Sequence, residues 1–458
     1  KIRTRFAPSP TGFLHIGGLR TALYAYALAK HNGGDFLLRI EDTDQKREVP
    51  GAIEALKSVL TKFGLVWDEF YIQSERLHLY KAAAEKIVKK GQAFYCNCKP
   101  KNAKAEGFSV ELRDPCRNRN LTSGAIKLKV PDNKVVSYRD FVHRKEISWN
   151  TNTVYDATLL KSDGFPTYHL AVAVDDLDMK ITHILRGHDW LPSTPIHLLV
   201  FDFIGGKRPE IGHVTDILSA ETGKKLSKRR DSVFVEQFLE QGFLPEAILN
   251  FVMLLGWAPK DNRELFTLDE FVREFNPEGF QEANPKFSMQ KLEWFNGYYI
   301  RQLPVEDLTD RLLPYLTAAG LPADRARMLQ ITPLIQERIT KLSEAPGKID
   351  FFFADELAPY DPALLIPKKG DAALALTVLR RAWQSLQTVD FSHDALDTAL
   401  RATADELGLN AGQMFQPIRV AVCGRMVAPP LFETLVVLGR QTVLKRIEQA
   451  SAKLEGLV

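Results

Sequence analysis

Ile2-Arg3-Thr4-Arg5-Phe6, Ala7-Pro8-Ser9-Pro10-Thr11-Gly12 and His15-Ile16-Gly17-Gly18 follow one another near the start of the chain, and their order decides the fold. Residues 2–6 read as a strand and residues 7–12 as a turn-rich loop; Gly17 and Gly18 then open a run from Leu19 to Lys30 that is rich in helix formers. The segment Asp35 to Ile40 is again strand-like, and Gly51 to Phe63 again helical. This alternation predicts an α/β fold, a parallel sheet with helices on its faces. Such sheets bind ligands beyond the carboxyl ends of their strands, where Ser9, His15 and Glu41 fall.

A helix N-terminus offers unpaired N–H groups and partial positive charge, so a phosphate chain can lie against the glycines that open this one. His15 would add a donor. Far downstream, Lys225-Leu226-Ser227-Lys228-Arg229 crowds positive charge onto a segment that follows Gly223. Mobile lysines on a glycine-hinged loop suit a pyrophosphate whose charge grows as it departs. Alone, each motif has an ordinary explanation: glycines start helices, and basic clusters form solvated turns. Together they predict one nucleotide site built by two halves of a fold.

Composition bounds the remainder. The 458 residues suffice for several domains, and 45% hydrophobic with 26% charged residues is ordinary for globular proteins. A net charge of +3, from 60 basic and 57 acidic residues, is too small to mark a nucleic-acid binder, so any RNA contact must come from local basic patches. Four cysteines argue against a disulfide framework and fit a reducing compartment. No apolar stretch approaches the roughly 20 residues of a membrane span. The start Lys1-Ile2-Arg3-Thr4-Arg5 does not read as a secretion signal, so a cytoplasmic location is expected.

From about Cys96 to Thr182 the alternation gives way to shorter β-rich pieces such as Ala125 to Val130, and Ile181 to Leu185 restores the strand pattern. After Gln302 the chain reads as helical. Leu376, Leu379, Trp383 and Leu386 recur at helical spacing, as do Leu431, Leu435 and Leu438, then Val443, Leu444 and Ile447. Pro359, Pro362 and Pro367 divide this half in two.

The strings Arg5 to Gly12, His15 to Gly18, Arg39 to Asp44, Tyr168-His169-Leu170-Ala171, Leu185-Arg186-Gly187 and Lys225 to Arg229 together resemble the bacterial-type glutamyl-tRNA synthetases, which are class I aminoacyl-tRNA synthetases. The resemblance runs from Arg3 to the last helix. It implies a Rossmann-type catalytic domain whose first half is 1–95, an acceptor-stem-binding insertion at 96–182, and a second catalytic half with the stem-contact region at 183–302. A helical anticodon-binding domain of two subdomains would occupy 303–458, with its break near 359–370. ATP, Mg²⁺, L-glutamate and tRNA-Glu are the implied ligands of a monomeric enzyme. A glutamyl-queuosine-type tRNA modifier shares the catalytic half but lacks an anticodon module. The helical half speaks against that alternative.

Glutamate carries two carboxylates and one ammonium, so its pocket needs at least two cationic partners and one anionic one. The resemblance gives Arg5, whose guanidinium fork suits a carboxylate, and Arg186 as the cations, with Glu41 for the ammonium and Ala7, Ser9 and Tyr168 for orientation. It implies ATP contacts from His15, Gly17, Gly18, Asp189, Trp190, Leu218, Lys225 and Lys228, with His15 and Lys228 stabilising developing charge. Asp44, Arg47 and Arg338 are the implied tRNA contacts, Arg338 at the third anticodon base. Gly18 stands where many class I enzymes have a second histidine, which leaves that burden to His15. Cys96-Asn97-Cys98 and Cys116 resemble the zinc site of some relatives, but Asn118 replaces the usual fourth ligand. His143 or a water could complete a tetrahedron, or the thiols are a remnant without metal; Cys423 reads as core.

Overall fold

The computed structural model describes residues 1–98 and 112–458; residues 99–111, part of the expected insertion, lie outside the described residues. The chain divides into two compact units, residues 1–239 with 245–292, and residues 240–244 with 293–458.

The first unit is built on strands β1 (Arg3–Phe6), β2 (Asp35–Ile40) and β3 (Glu69–Ile72), which pair in parallel in the order β1-β2-β3. Helix α1 (Ile16–His31) connects β1 to β2, α2 (Ala52–Lys62) connects β2 to β3, and α3 (Leu77–Lys89) follows. Phe36, Leu37, Leu38 and Ile40 are all buried, as expected where helices cover both faces of a parallel sheet. Helix α1 lies close because Ala22, Ala25, Ala27 and Ala29 stand on its buried surface. At the turn into β2 a Cβ on Gly34 would lie 2.0 Å from the Ile2 carbonyl oxygen, so only glycine fits there.

Strands β4 (Ala93–Cys96), β5 (Ala125–Leu128) and, further on, β8 (Thr158–Leu160) make a separate antiparallel sheet in the order β4-β5-β8. Between them, β6 (Val135–Asp140) and β7 (Lys145–Asn150) do something the sequence did not suggest. They extend the sheet of β9 (His183–Gly187) and β10 (Glu210–Val214), in the order β7-β6-β10-β9. Helix α4 (Tyr168–Asp178) precedes β9, and α5 (Thr194–Ile204) links β9 to β10. The Thr182 N–H donates to the Arg3 carbonyl at 2.9 Å, which sets β9 beside β1. The central layer therefore runs β3-β2-β1-β9-β10. Its order reverses between β1 and β9, and a reversal of that kind opens a crevice at the carboxyl ends of the strands.

The second unit is helical, as its periodicity predicts. Ala372–Leu386 buries Leu376, Leu379 and Leu386, Leu431–Leu438 buries Leu431, Leu435 and Leu438, and Arg440–Glu455 buries Val443 and Ile447. A short turn at Pro362–Leu365 falls among the prolines that divide the region. Cys423 is buried, as read from sequence. Among the described residues, no helix is long and apolar enough to cross a membrane.

Candidate active site

A cavity of about 390 Å³ opens at the crevice. The carboxyl end of β1 brings Arg5, the loop after it Ala7 and Ser9, the start of α1 His15, Gly17 and Gly18, and the end of β2 Glu41. Tyr168 enters from α4 and Arg186 from β9, and Asp189, Trp190 and Lys225 complete the set. Most of the residues read from sequence as glutamate and ATP contacts thus line one space.

At the phosphate end, His15 caps α1, its Nδ1 accepting the Gly17 N–H at 2.8 Å. That bond leaves the ring proton on Nε2, free to be donated. A Cβ at position 17 would stand 3.1 Å from the His15 Nδ1, so glycine keeps the imidazole in place. Burial foremost, then the charges of Lys228, Arg20 and Lys225, hold His15 down at about 4. The ring is neutral at pH 7 and acts as an N–H donor. Arg20, one turn into α1, also lines the cavity although it is buried; its Nη1 donates to the Leu255 carbonyl at 2.9 Å and its Nη2 to the Thr215 carbonyl. Sequence reasoning missed Arg20, because an arginine inside a helix reads as solvated.

Two of the expected ATP contacts sit elsewhere. Lys228 is not on the lining: its Nζ stands 5.9 Å from the centroid of the Phe234 ring, and it reaches His15 through charge alone. Leu218 is held in a strand, its N–H donating to the Pro285 carbonyl at 2.9 Å, and Ile217 and Leu226 line the cavity in its place. Lys225 does reach the cavity, with its ammonium 2.8 Å from Asp189 and 3.2 Å from Asp216. Of the loop's cations, that one is already paired with carboxylates at the rim.

Toward Glu41, Arg5 lines the cavity while held by a carboxylate of the protein. Arg5 donates from Nε and Nη2 to the two carboxylate oxygens of Asp176, at 2.9 and 3.1 Å. That uses its side-on Nε/Nη2 edge and leaves three N–H groups, two on Nη1 and one on Nη2, so the end-on fork is still unspent. Arg39 donates to the same carboxylate at 2.7 Å and to Glu41 at 3.2 Å. Burial opposes the Asp176 charge, but Arg39 and Arg5 outweigh it and hold the carboxyl below its usual range. Burial pushes the Glu41 carboxyl up, against Arg39 and Arg5. Tyr168 stacks on Trp190 with ring centroids 3.9 Å apart, forming an aromatic wall. Arg186 is gripped by the neutral side chains of His213, His197 and Thr194. Asp176 and these three were not read from sequence; only the Asp175-Asp176 pair beside the Tyr168 string was a usable signal.

His15, His169 and His213 are each held down at about 4, burial being the foremost cause. In the unfolded chain their pKa returns to about 6.5, so on acidification the unfolded state takes up these protons first. Stability is full above about pH 6.5 and declines as the pH falls to about 4. Urea midpoints measured at pH 7.5, 6.5, 5.5 and 4.5 should fall progressively. A midpoint unchanged down to pH 4.5 would contradict the burial of these rings.

The remaining candidates lie outside the cavity. Asp44 and Arg47 are exposed beyond β2, the Arg47 N–H donating to the Asp44 carbonyl at 3.1 Å. Arg338, in the second unit, is exposed in a turn after the helix Arg325–Ile335, its Nη1 donating to the Ala428 carbonyl at 3.3 Å. Cys96, Cys98 and Cys116 do converge, and their sulfurs lie with a carboxylate oxygen of Asp114 all within 4.8 Å of one another. The carboxylate beside the thiols is that of Asp114; the His143 ring instead lies edge-on to His188 with centroids 6.1 Å apart. Asp114 caps the turn Pro115–Asn118 by accepting the Cys116 N–H at 2.8 Å, which turns it toward the thiols. The Asp-Pro-Cys string was the signal for it.

A parallel layer reversing at a glycine-opened helix start, with a lysine-bearing loop at the crevice, is the arrangement of a class I aminoacyl-tRNA synthetase catalytic domain. Residues 1–294 match the family described as class I tRNA synthetases (E and Q), catalytic domain, and residues 307–451 match an anticodon binding domain. The glutamate–tRNA ligase of Solibacter usitatus (strain Ellin6076) is 45% identical over 99% of this chain and all of its own length. That of Roseiflexus sp. (strain RS-1) is 41% identical over 99% of this chain and 97% of its own. The crystal structure of a glutamate tRNA ligase from Elizabethkingia meningosepticum CCUG26117 in complex with its amino acid superposes with a TM-score of 0.89, at 33% identity over 99% of this chain and all of that one. The chain belongs to the glutamate–tRNA ligase family.

Proposed function

We propose that this protein activates L-glutamate with ATP and transfers it to the 3′ end of tRNA-Glu. The observation that carries the reading is the one cavity in which a helix-capping histidine, a loop lysine and three buried arginines, Arg5, Arg20 and Arg186, meet. In the first step a glutamate α-carboxylate oxygen bonds to the α-phosphorus of ATP as the bond to the bridging oxygen breaks. Glutamyl-adenylate forms and diphosphate leaves. In the second step a hydroxyl of the terminal tRNA ribose, the 2′-hydroxyl in this class, attacks the activated carbonyl and AMP departs. Such chemistry asks for alignment and for stabilisation of developing charge rather than covalent work by the protein. The start of α1 and the His15 Nε2–H serve the phosphates, while Arg5, Arg186 and Glu41 match the two carboxylates and one ammonium of the amino acid. Lys228, outside the cavity wall here, is assigned to the pyrophosphate through movement of its loop. Mg²⁺ would arrive with the nucleotide and offset phosphate charge; Asp189 and Asp216 are both paired with Lys225, so the phosphates rather than these carboxylates would hold it.

The exposed guanidinium of Arg338, tethered through one nitrogen, keeps donors for a base edge and supports discrimination between anticodons. Purified protein should glutamylate tRNA-Glu far faster than tRNA-Gln. Equal rates on both transcripts refute discrimination but not the enzyme class, whereas preferential charging with glutamine or aspartate refutes the glutamate pocket.

The Cys96, Cys98, Asp114 and Cys116 set is assigned to structural zinc. A tetrahedral site with Zn–S near 2.3 Å spaces its ligand atoms about 3.8 Å apart, within the spread seen here. Lys127, 2.7 Å from Asp114, offsets part of the negative charge of three thiolates and a carboxylate. Elemental analysis should find about one zinc per chain, lost on Cys98→Ser. A metal-free protein of unchanged stability would rule the assignment out.

A further inference from the structure

Arg186 is buried, yet among the described residues no carboxylate pairs with it. Arg5, by contrast, is paired with Asp176, and Arg39 with Asp176, Asp175 and Glu41. Arg186 spends three of its five N–H groups on neutral acceptors. Nε donates to His213 Nε2 at 3.0 Å, Nη1 to His197 Nδ1 at 2.9 Å and Nη2 to Thr194 Oγ1 at 2.9 Å. One N–H remains on each terminal nitrogen.

We infer that His197, His213 and Thr194 are positioning residues which hold the Arg186 guanidinium in place without neutralising it, so that a glutamate carboxylate supplies its missing counter-charge. The inference rests on the reading of this cavity as the glutamate site.

The fold builds the collar from two sides. His213 is the direct register partner of Arg186, on β10 beside β9, and Thr194 and His197 stand on the first turn of α5. A guanidinium has no lone pair to offer, so each ring nitrogen facing it must be an acceptor. That requirement fixes the tautomer of both rings. His213 carries its proton on Nδ1 and donates it to Asp140 at 2.8 Å, which makes Asp140 a counter-ion one imidazole removed. His197 carries its proton on Nε2 and donates it to His169 Nδ1 at 2.8 Å. Thr194 donates its hydroxyl proton to the Trp190 carbonyl at 3.0 Å, so its lone pair faces the arginine. A second proton on His197 or His213 would set N–H against N–H. Burial foremost holds both rings well below their ordinary value and keeps them neutral.

A paired Arg186 would give up an existing salt bridge on binding, and a free one would swing among rotamers. Held by neutral acceptors, it loses neither charge nor direction. His197→Leu removes one acceptor, and His197→Asn keeps an oxygen near the Nδ1 position. In aminoacylation of tRNA-Glu, His197→Leu should raise KM for glutamate about tenfold, with KM for ATP and kcat little changed. His197→Asn should recover most of that loss. Should His197→Leu fail to fold, Thr194→Val against Thr194→Ser makes the same comparison through Nη2, and Thr194→Val alone should raise KM for glutamate. Arg186→Gln separates the two readings. If it leaves KM for glutamate unchanged, the glutamate site itself is misplaced. If it destroys glutamate use while the leucine and valine variants match wild type, the collar is only core packing. Equal KM values in the leucine and asparagine variants, whether raised or not, would overturn the positioning role.

Discussion

Arg186→Gln is expected to lower kcat/KM for glutamate about a thousandfold. The reason is the charge balance at the floor of the cavity. Asp176 already neutralises Arg5, and Arg39 is shared among Asp176, Asp175 and Glu41, so Arg186 supplies the unspent positive charge. Removing one member of a buried, hydrogen-bonded charge pair costs roughly 2–5 kcal/mol, and about 4 kcal/mol corresponds to a thousandfold change. Arg186→Lys should restore little, because a compact ammonium cannot reach His213, His197 and Thr194 while also meeting a carboxylate in a fork. The measurement is glutamate saturation in tRNA-Glu aminoacylation, with KM for ATP as control. A loss below tenfold would mean that Arg186 does not meet a glutamate carboxylate and that the glutamate site is misplaced.

His15→Ala should lower kcat by about 10²–10³-fold with a smaller change in KM for glutamate. A preorganised donor aimed at charge that develops in the transition state is worth that much when removed. The ring is suited to the task because the Gly17 N–H occupies Nδ1 and leaves Nε2–H to donate. It does not need to be charged: held at about 4, it stays neutral across physiological pH. The rate of wild type should accordingly show no step near pH 6.5 attributable to His15. His15→Gln, whose amide can donate, should retain more activity than His15→Ala. Equal losses in both variants would assign His15 to packing at the helix start instead.

Much of this molecule was legible before any coordinates. Strand and helix periods placed β1, β2, α1 and α2 to within a few residues, and the glycines after His15 marked the phosphate end. Those signals are local: a period of two or 3.6 residues, or a glycine at a crowded turn, depends on neighbours in the chain. The leucine stripes of the second unit were readable on the same ground. Arg446 was not, because it sits within the Val443 and Ile447 stripe yet is buried, donating to the carbonyls of Val422, Phe351 and Ala354. A helical pattern gives the face of an arginine but not the backbone oxygens waiting there.

The sequence by itself determined the class of fold, the order of its modules and the residue types that meet at the nucleotide and amino-acid ends. Only the tertiary structure decided how their charges are apportioned. Asp176 reaches Arg5 across 171 positions of chain, His213 reaches Arg186 across a strand pair, and Asp114 rather than His143 joins the thiols. The physical reason is that ion pairs and proton positions follow distances of about 3 Å between atoms, which strand order and helix placement set and which no spacing along the chain records.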